Sequence, residues 1–101
     1  MFFDLSRDAL AEYVNTNFTV MDDPAVPMEI LLTEVTPLRA TARQQMFALL
    51  FHGPADHFLP QKMHKLGHDQ LGEVDLFLVP VGRDEAGFIY EAVFNRLIKR
   101  S

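Results

Sequence analysis

The apolar positions of the chain follow a helical period near its start. One helix face is marked by apolar residues at helical spacing, namely Leu5, Leu10, Tyr13 and Val14. This spacing predicts a short helix over residues 4–15. Asp4 or Ser6 is the expected N-cap, because either side chain can accept a backbone N–H bond. A helix this short is unstable alone, so we expect it to dock on the rest of the chain.

After the helix, the period of the apolar pattern changes to two. Alternation and strand-forming residues predict six strands, at residues 18–21, 28–35, 45–52, 61–66, 73–81 and 88–94. The strand at 45–52 is apolar on both faces, which is typical of a strand that is buried on both sides or paired across an interface. Pro80 lacks an N–H, so it indicates an edge or a bulge near the end of its strand.

The connections between these strands predict the fold class. Most of them span about five to nine residues, which is too short for parallel crossovers, so the sheet is expected to be mainly antiparallel. We therefore predict a single mainly β (α+β) domain over residues 1–101. It is expected to be a small antiparallel barrel or two-layer sandwich of five to six strands with one N-terminal helix. The strands 45–52, 74–81 and 88–94 are expected to form its centre.

The composition raises the question of self-association. Hydrophobic residues make up 49% of the chain, near the top of the usual range. Apolar side chains on both faces of several strands are explained if part of this surface is buried against another copy or another protein. The chain is therefore predicted to form a homo-oligomer, to bind another protein, or both.

Charge and cysteine content narrow the function classes. The formal net charge is −5, with only 9 Lys and Arg, so nucleic-acid binding is not expected. The basic cluster of Arg96, Lys99 and Arg100 is interpreted as a solvated tail. The sequence shows no basic amphipathic helix and no apolar run of membrane-spanning length, so membrane binding is not expected. The absence of cysteine and of a signal-peptide pattern favours a cytoplasmic location.

Four histidines raise the possibility of a zinc site. They are His52, His57, His64 and His68. The last two are four residues apart, a spacing that suits a helix. Gly67 and Pro60 argue against a helix there, so we interpret the four as scattered histidines and predict no metal site.

An acid–base site is a second chemical possibility. The titratable candidates are His68, Asp69, Asp75, Tyr90 and Glu91. If Asp75 and Glu91 faced each other in a pocket, the pKa of one carboxyl would rise. The favoured alternative is that both face solvent, or that one accepts hydrogen bonds from Arg83 or Arg43.

The sequence offers no nucleophile for covalent catalysis. There is no cysteine, the only serines are Ser6 and Ser101, and the five glycines are isolated at turns. We therefore predict no catalytic residue, no cofactor and no enzymatic activity. Phe58 and Leu59 lie in a proline-flanked segment, where apolar residues can contact a partner or fold back as a lid over the barrel end. Both interpretations stay open, and partner contact is the site prediction.

The second half of the chain resembles a known family. The stretches that carry the resemblance are residues 46–54, 59–61, 68–72, 76–84 and 90–95. They are similar to a family of small bacterial proteins catalogued as domain of unknown function 6916. The resemblance is strong over residues 46–95, whereas residues 5–38 match only in general plan. Residues 62–67 read Lys-Met-His-Lys-Leu-Gly where the family more often reads Gly-Thr-Tyr-Arg-Leu-Glu.

The resemblance implies no activity and gives no catalytic residue. Genes of this family often lie beside phage-tail-collar-like proteins, which implies a structural or adaptor role. The leading hypothesis is thus a non-enzymatic structural or protein-interaction module that self-associates, with a phage-tail-like or assembly-associated adaptor as its specific form. One alternative is a small barrel that binds an apolar ligand in its aromatic interior. A third hypothesis is a hydrolase or isomerase that uses Asp75, Glu91 or His68.

Overall fold

A computed structural model describes residues 2, 5–22 and 28–97 of the chain. Its elements are α1 (Arg7–Ala11), β1 (Asn17–Val20), β2 (Met28–Val35), β3 (Arg39–Ala40), β4 (Gln44–Pro54), β5 (Lys62–His68), β6 (Gly72–Arg83) and β7 (Gly87–Leu97). The prediction of a mainly β chain with a short N-terminal helix is confirmed.

The strands form a closed antiparallel barrel, one of the two predicted architectures. Six strands follow one another around the wall in the order β1, β2, β4, β7, β6 and β5, and β5 returns to β1. β3 is an additional short strand on β4, on the edge that β2 also uses. The bulge expected near Pro80 is present, because the register with β7 shifts between Pro80 and Gly82.

The helix is shorter than predicted. The Ser6 hydroxyl accepts the Ala9 N–H at 3.1 Å, which confirms Ser6 as the N-cap, whereas Asp4 lies outside the described residues. α1 ends at Ala11 rather than at residue 15. After Ala11 the N–H groups of Glu12, Tyr13 and Val14 bond to carbonyls three residues back, and Asn15, whose φ is 71°, then donates its N–H to Leu32 O at 2.7 Å. The chain thus turns from the helix onto β2.

Several strand ends were also predicted wrongly. β4 continues through Gly53 and Pro54, beyond its predicted end at residue 52, and β7 continues to Leu97, beyond its predicted end at residue 94. These two strands pair without interruption from Gln44 opposite Leu97 to Pro54 opposite Gly87, so each extends the other. β5 continues to His68 because it pairs with β6 as far as Gly72.

Inward-facing side chains fill the barrel. Its largest fully buried side chains include Tyr90, Phe18, Phe51, Leu49 and Leu78. Leu10 of α1 and Phe2 belong to the same core. Of the two interpretations of the strand at 45–52, burial of both faces is wrong for part of the outer face, where Met46 is exposed and Leu50 is half-buried, whereas pairing across an interface stays a prediction.

Candidate interaction surface

The outer face of the barrel carries a group of large apolar side chains on neighbouring strands. We call this group the apolar wall, and it comprises Met46, Met63, Phe77, Val93 and Leu97. Their exposed fractions lie between 40% and 76%. Met63 and Phe77 are direct cross-strand neighbours. Such clustering differs from the scattered single apolar residues of an ordinary surface, and it is typical of an interaction site.

A cleft divides the apolar wall between β6 and β7. These two strands pair at only four positions, from Val79 opposite Glu91 to Arg83 opposite Phe88, and then diverge. The resulting β6–β7 cleft has a volume of about 510 Å³. Its outer rim is formed by side chains of the apolar wall, and its floor reaches Leu76 and Phe94 of the core.

Hydrogen bonds on the far side of β4 show where the backbone of β7 points. The Thr36 N–H donates to Ala48 O at 2.8 Å, and the Ala48 N–H donates to Thr36 Oγ1 at 2.7 Å. The backbone of Ala48 therefore points away from β7, and its partner Val93 must point away from β4. By alternation, the N–H and C=O groups of Val93, Asn95 and Leu97 are directed into the cleft.

The same reasoning applies to β6 on the other side of the cleft. The Met21 N–H donates to Lys65 O at 2.7 Å, and the Lys65 N–H donates to Asp22 Oδ1 at 2.9 Å. Lys65 therefore points away from β6, so its partner Asp75 and the next alternate residue, Phe77, direct their backbone groups into the cleft. Within the described residues, no strand pairs with either edge of the cleft.

Arg96 lines the cleft and is not part of a solvated tail, so that interpretation was wrong for this residue. Its guanidinium carbon lies 5.3 Å from the Phe47 ring centre and 5.5 Å from that of Phe94, distances suited to cation–π attraction. Its Nη2 atom is buried and has no hydrogen-bond partner among the described residues. Lys99 and Arg100 lie outside those residues.

The two residues predicted to contact a partner point in different directions. Leu59 is buried, and its N–H donates to the Tyr90 hydroxyl at 2.9 Å, so it folds back over the barrel end. Burial raises the pKa of Tyr90 above its ordinary value, against the opposing effect of this bond. Phe58 is half-exposed and packs edge-to-face on Phe88 at 5.1 Å. Partner contact therefore stays a prediction that depends on Phe58.

His64 is buried, with 1% of its surface exposed, and both of its ring nitrogens face acceptors. Nε2 lies 2.8 Å from Pro60 O, which can only accept, and Nδ1 contacts Asp22 Oδ2. The pKa of Asp22 is below its ordinary value. Burial raises it, but the hydrogen bonds from the Lys65 N–H and from His64, with the charges of His64 and Lys62, outweigh burial. Asp22 is thus ionised, and its carboxylate accepts from Nδ1 of His64.

The Asp22–His64 pair joins the segment that follows β1 to β5. The pair was not predicted from the sequence, since Asp22 lies 42 positions from His64. No sequence signal connects the two. The pair has a structural role, because a histidine with both nitrogens engaged and almost no exposed surface is not positioned to act as a general base.

His68 also has a structural environment. Its Nδ1 accepts the N–H groups of Gln70 and Leu71, so Nε2 carries the proton and donates to Thr16 Oγ1 at 2.9 Å. The ring centre lies 4.6 Å from that of Phe18. Burial lowers the pKa of His68, against a smaller opposing effect of the Asp69 charge.

We predict that His68 stays neutral to lower pH than an ordinary histidine. Because the pKa of His68 is lower in the folded state than in the unfolded state, its neutral ring stabilises the fold fully above pH 6.5. This stabilisation is lost as the pH falls from 6.5 through the pKa of the folded state. Nitrogen-15 NMR of the ring should show the Nε2–H tautomer and a titration midpoint below 6.5. An Nδ1–H tautomer, or a midpoint at or above 6.5, would contradict this assignment.

The remaining candidates for acid–base chemistry do not converge. Asp75 is exposed opposite Lys65 and lines the β6–β7 cleft. Glu91 lies opposite Leu50 and lines a separate groove beside β3. His68 is engaged at the other end of β5, where it pairs with Gly72. These three groups therefore do not share a cleft, as the hypothesis of a hydrolase or isomerase requires.

The other histidines are distributed over the surface. His52 Nε2 lies 2.9 Å from Asp84 Oδ1, which also accepts the N–H groups of Ala86 and Gly87. The hydrogen bond from His52 has the largest effect on the pKa of Asp84 and lowers it. Burial raises this pKa, but the two backbone hydrogen bonds lower it further, so the pKa lies below its ordinary value. His57 is exposed in the segment before β5. The described part of the chain contains no group of three or more metal-ligating side chains.

Comparison with known proteins places the chain in a family. The sequence model of the family described as Domain of unknown function (DUF6916) matches residues 5–94. No curated protein and no solved structure matches the chain. Within the described residues, no helix is long and apolar enough to cross a membrane. The match extends from just before α1 into the last strand, which confirms the resemblance seen in the sequence, and the chain belongs to the DUF6916 family.

Proposed function

We propose that this protein is a non-enzymatic interaction module that self-associates through the apolar wall. The observation that supports this proposal most strongly is that five large apolar side chains are exposed together on neighbouring strands. Full burial of one such side chain stabilises by about 1.5–3 kcal/mol. Contact between two walls would therefore supply a substantial driving force for association.

The charge distribution supports the choice of this surface. Two copies with a net charge of −5 repel each other, so they associate most readily where acidic residues are sparse. The apolar wall itself carries no charge, and the charged side chains that line the adjoining cleft, Asp75 and Arg96, are of opposite sign. An adaptor role in a phage-tail-like or other assembly stays a prediction.

The filled interior argues for association over binding of an apolar ligand. Among the described residues, nineteen buried side chains form one core cluster. The β6–β7 cleft, of about 510 Å³, and the groove beside β3, of about 460 Å³, both open on the outside. Each of them is partly lined by side chains of the apolar wall, so they favour a macromolecular partner over an enclosed small molecule.

We predict that Phe77→Glu weakens self-association by at least about tenfold, or about 1.4 kcal/mol, because it places a charge at the centre of the wall. Size-exclusion chromatography with light scattering over a concentration series measures the effect. Val81→Glu is the matched control, since Val81 is similarly exposed on the same strand but lies at the bulge, outside the apolar wall. Phe58→Glu tests the alternative contact at the barrel end.

The comparison of the three variants decides between surfaces. Loss of association in Phe77→Glu alone supports the apolar wall. Loss only in Phe58→Glu would move the interface to the barrel end, and equal behaviour of Phe77→Glu and Val81→Glu would contradict the proposal.

A further inference from the structure

The geometry of the β6–β7 cleft points to a specific mode of self-association, which rests on the proposed function. We propose that two copies pair edge to edge through β7, antiparallel, with the two-fold axis at Asn95. The occupant of each cleft is then β7 of a second copy. A symmetric pair needs one self-complementary edge, and the structure provides an edge of this kind.

The hydrogen-bonding groups of β7 determine the register. Val93, Asn95 and Leu97 direct their N–H and C=O groups into the cleft, as shown by the bonds of Ala48 on the far side of β4. Glu91, the preceding alternate residue, is already paired with Val79. Centring the two-fold at Asn95 places Asn95 opposite itself and Val93 opposite Leu97. In this register the backbone groups of all three residues form hydrogen bonds with the second copy. A two-fold axis at residue 94 would instead place Leu97 opposite Glu91, whose backbone groups already pair with Val79.

The side chains agree with the same register. On the outer face, Val93 of each copy lies opposite Leu97 of the other, and the Asn95 amides, each both donor and acceptor, meet at the axis. On the inner face, Arg96 lies opposite Phe94 of the other copy, a cation–π pair of the kind that Arg96 already makes within its own chain. Apolar and cation–aromatic cross-strand pairs of this type stabilise antiparallel strands.

The opposite edge of the cleft is less suited to self-pairing. The β6 edge carries Glu73 and Asp75, whereas the stretch of β7 from Ala92 to Leu97 carries no acidic residue. A two-fold at Asp75 would place two carboxylates directly opposite each other, which is destabilising. Charged residues on an edge strand are a common protection against pairing, so the charge pattern selects β7.

Single-cysteine cross-linking of the full chain tests this register. The chain has no cysteine, so Asn95→Cys introduces one thiol. In the proposed pair the two residue-95 Cα atoms are about 5.5 Å apart, within the range of a disulfide. Under a mild oxidant, Asn95→Cys should give at least about five times more cross-linked dimer than Asp75→Cys, which lies on the opposite rim of the cleft. A mixture of Val93→Cys and Leu97→Cys should give the mixed dimer.

The outcomes separate the register from the proposed function. Each variant is also measured by light scattering before oxidation. A dimer in solution without residue-95 cross-linking, or with preferential linking of Val93→Cys to Asn95→Cys, overturns the register and leaves self-association standing. A monomer at all concentrations overturns both. Efficient linking of Asp75→Cys would assign the interface to β6.

Discussion

Gly87→Ala is expected to cause the largest loss of stability of any single methyl addition to the chain. A Cβ at position 87 would lie 1.8 Å from Gly53 O, and the φ of Gly87 is +157°. The obstacle is backbone of β4, which cannot move aside as a flexible side chain does. Because β4 and β7 pair along their whole length, relief requires the two strands to separate at this end. We predict a loss of about 3 kcal/mol or more in the free energy of unfolding, measured by chemical denaturation.

Gly82→Ala is the matched control for this prediction. A Cβ at position 82 would lie 3.6 Å from Ile89 Cδ1, which is ordinary van der Waals contact. Gly82 also has no positive φ. Its substitution should change the stability by less than about 0.5 kcal/mol, as at most surface positions. Equal effects of the two substitutions would show that the approach of Gly87 to Gly53 is not tight.

Asp22→Asn is expected to produce the second large loss. The carboxylate accepts from the buried His64 ring through one oxygen and from the Lys65 N–H through the other. An Asn amide has one acceptor oxygen, so one of the two donors loses its partner. Removal of one member of a buried charged pair costs several kcal/mol, and the partial exposure of Asp22 reduces the effect to about 2–4 kcal/mol.

The pH dependence of this loss follows from the lowered pKa of Asp22. Because the pKa of Asp22 is lower in the folded state, its ionised carboxylate stabilises the fold fully above pH 3.8. This stabilisation is lost as the pH falls below 3.8 through the pKa of the folded state. The stability difference between wild type and Asp22→Asn should therefore shrink below pH 3.8. Glu73→Gln is the control, since the exposed ion pair of Glu73 with Lys65 should contribute less than about 1 kcal/mol. A difference that stays constant with pH would refute the ionised pair.

Much of the barrel could be predicted because period-two alternation marks strands directly. β2 has the predicted bounds of 28–35, and the bulge near Pro80 follows from its missing N–H. The length of α1 could not be predicted from its apolar face, because the turn after Ala11 leads to the left-handed Asn15, which is held by a tertiary bond to Leu32. The extension of β4 through Pro54 likewise depends on pairing with β7, which no local pattern encodes.

The interaction surface was only partly predictable. Alternating apolar residues on both faces of β6 indicated excess apolar surface, but the pattern does not distinguish a buried face from an exposed one. Phe77 is exposed whereas the adjacent Leu78 is buried. The cleft arises because β6 and β7 diverge below Val79, which is a property of the closed barrel. The Asp22–His64 pair could not be predicted either, because it depends on the tertiary pairing of β1 with β5.

The most direct test of self-association is the mass of the unmodified protein in solution. Sedimentation equilibrium over a concentration series, at neutral pH and moderate salt, measures this mass without assumptions about shape. The apolar wall predicts a mass that rises with concentration towards twice the 11.5 kDa of one chain. A mass that stays at 11.5 kDa at every concentration would contradict the central claim.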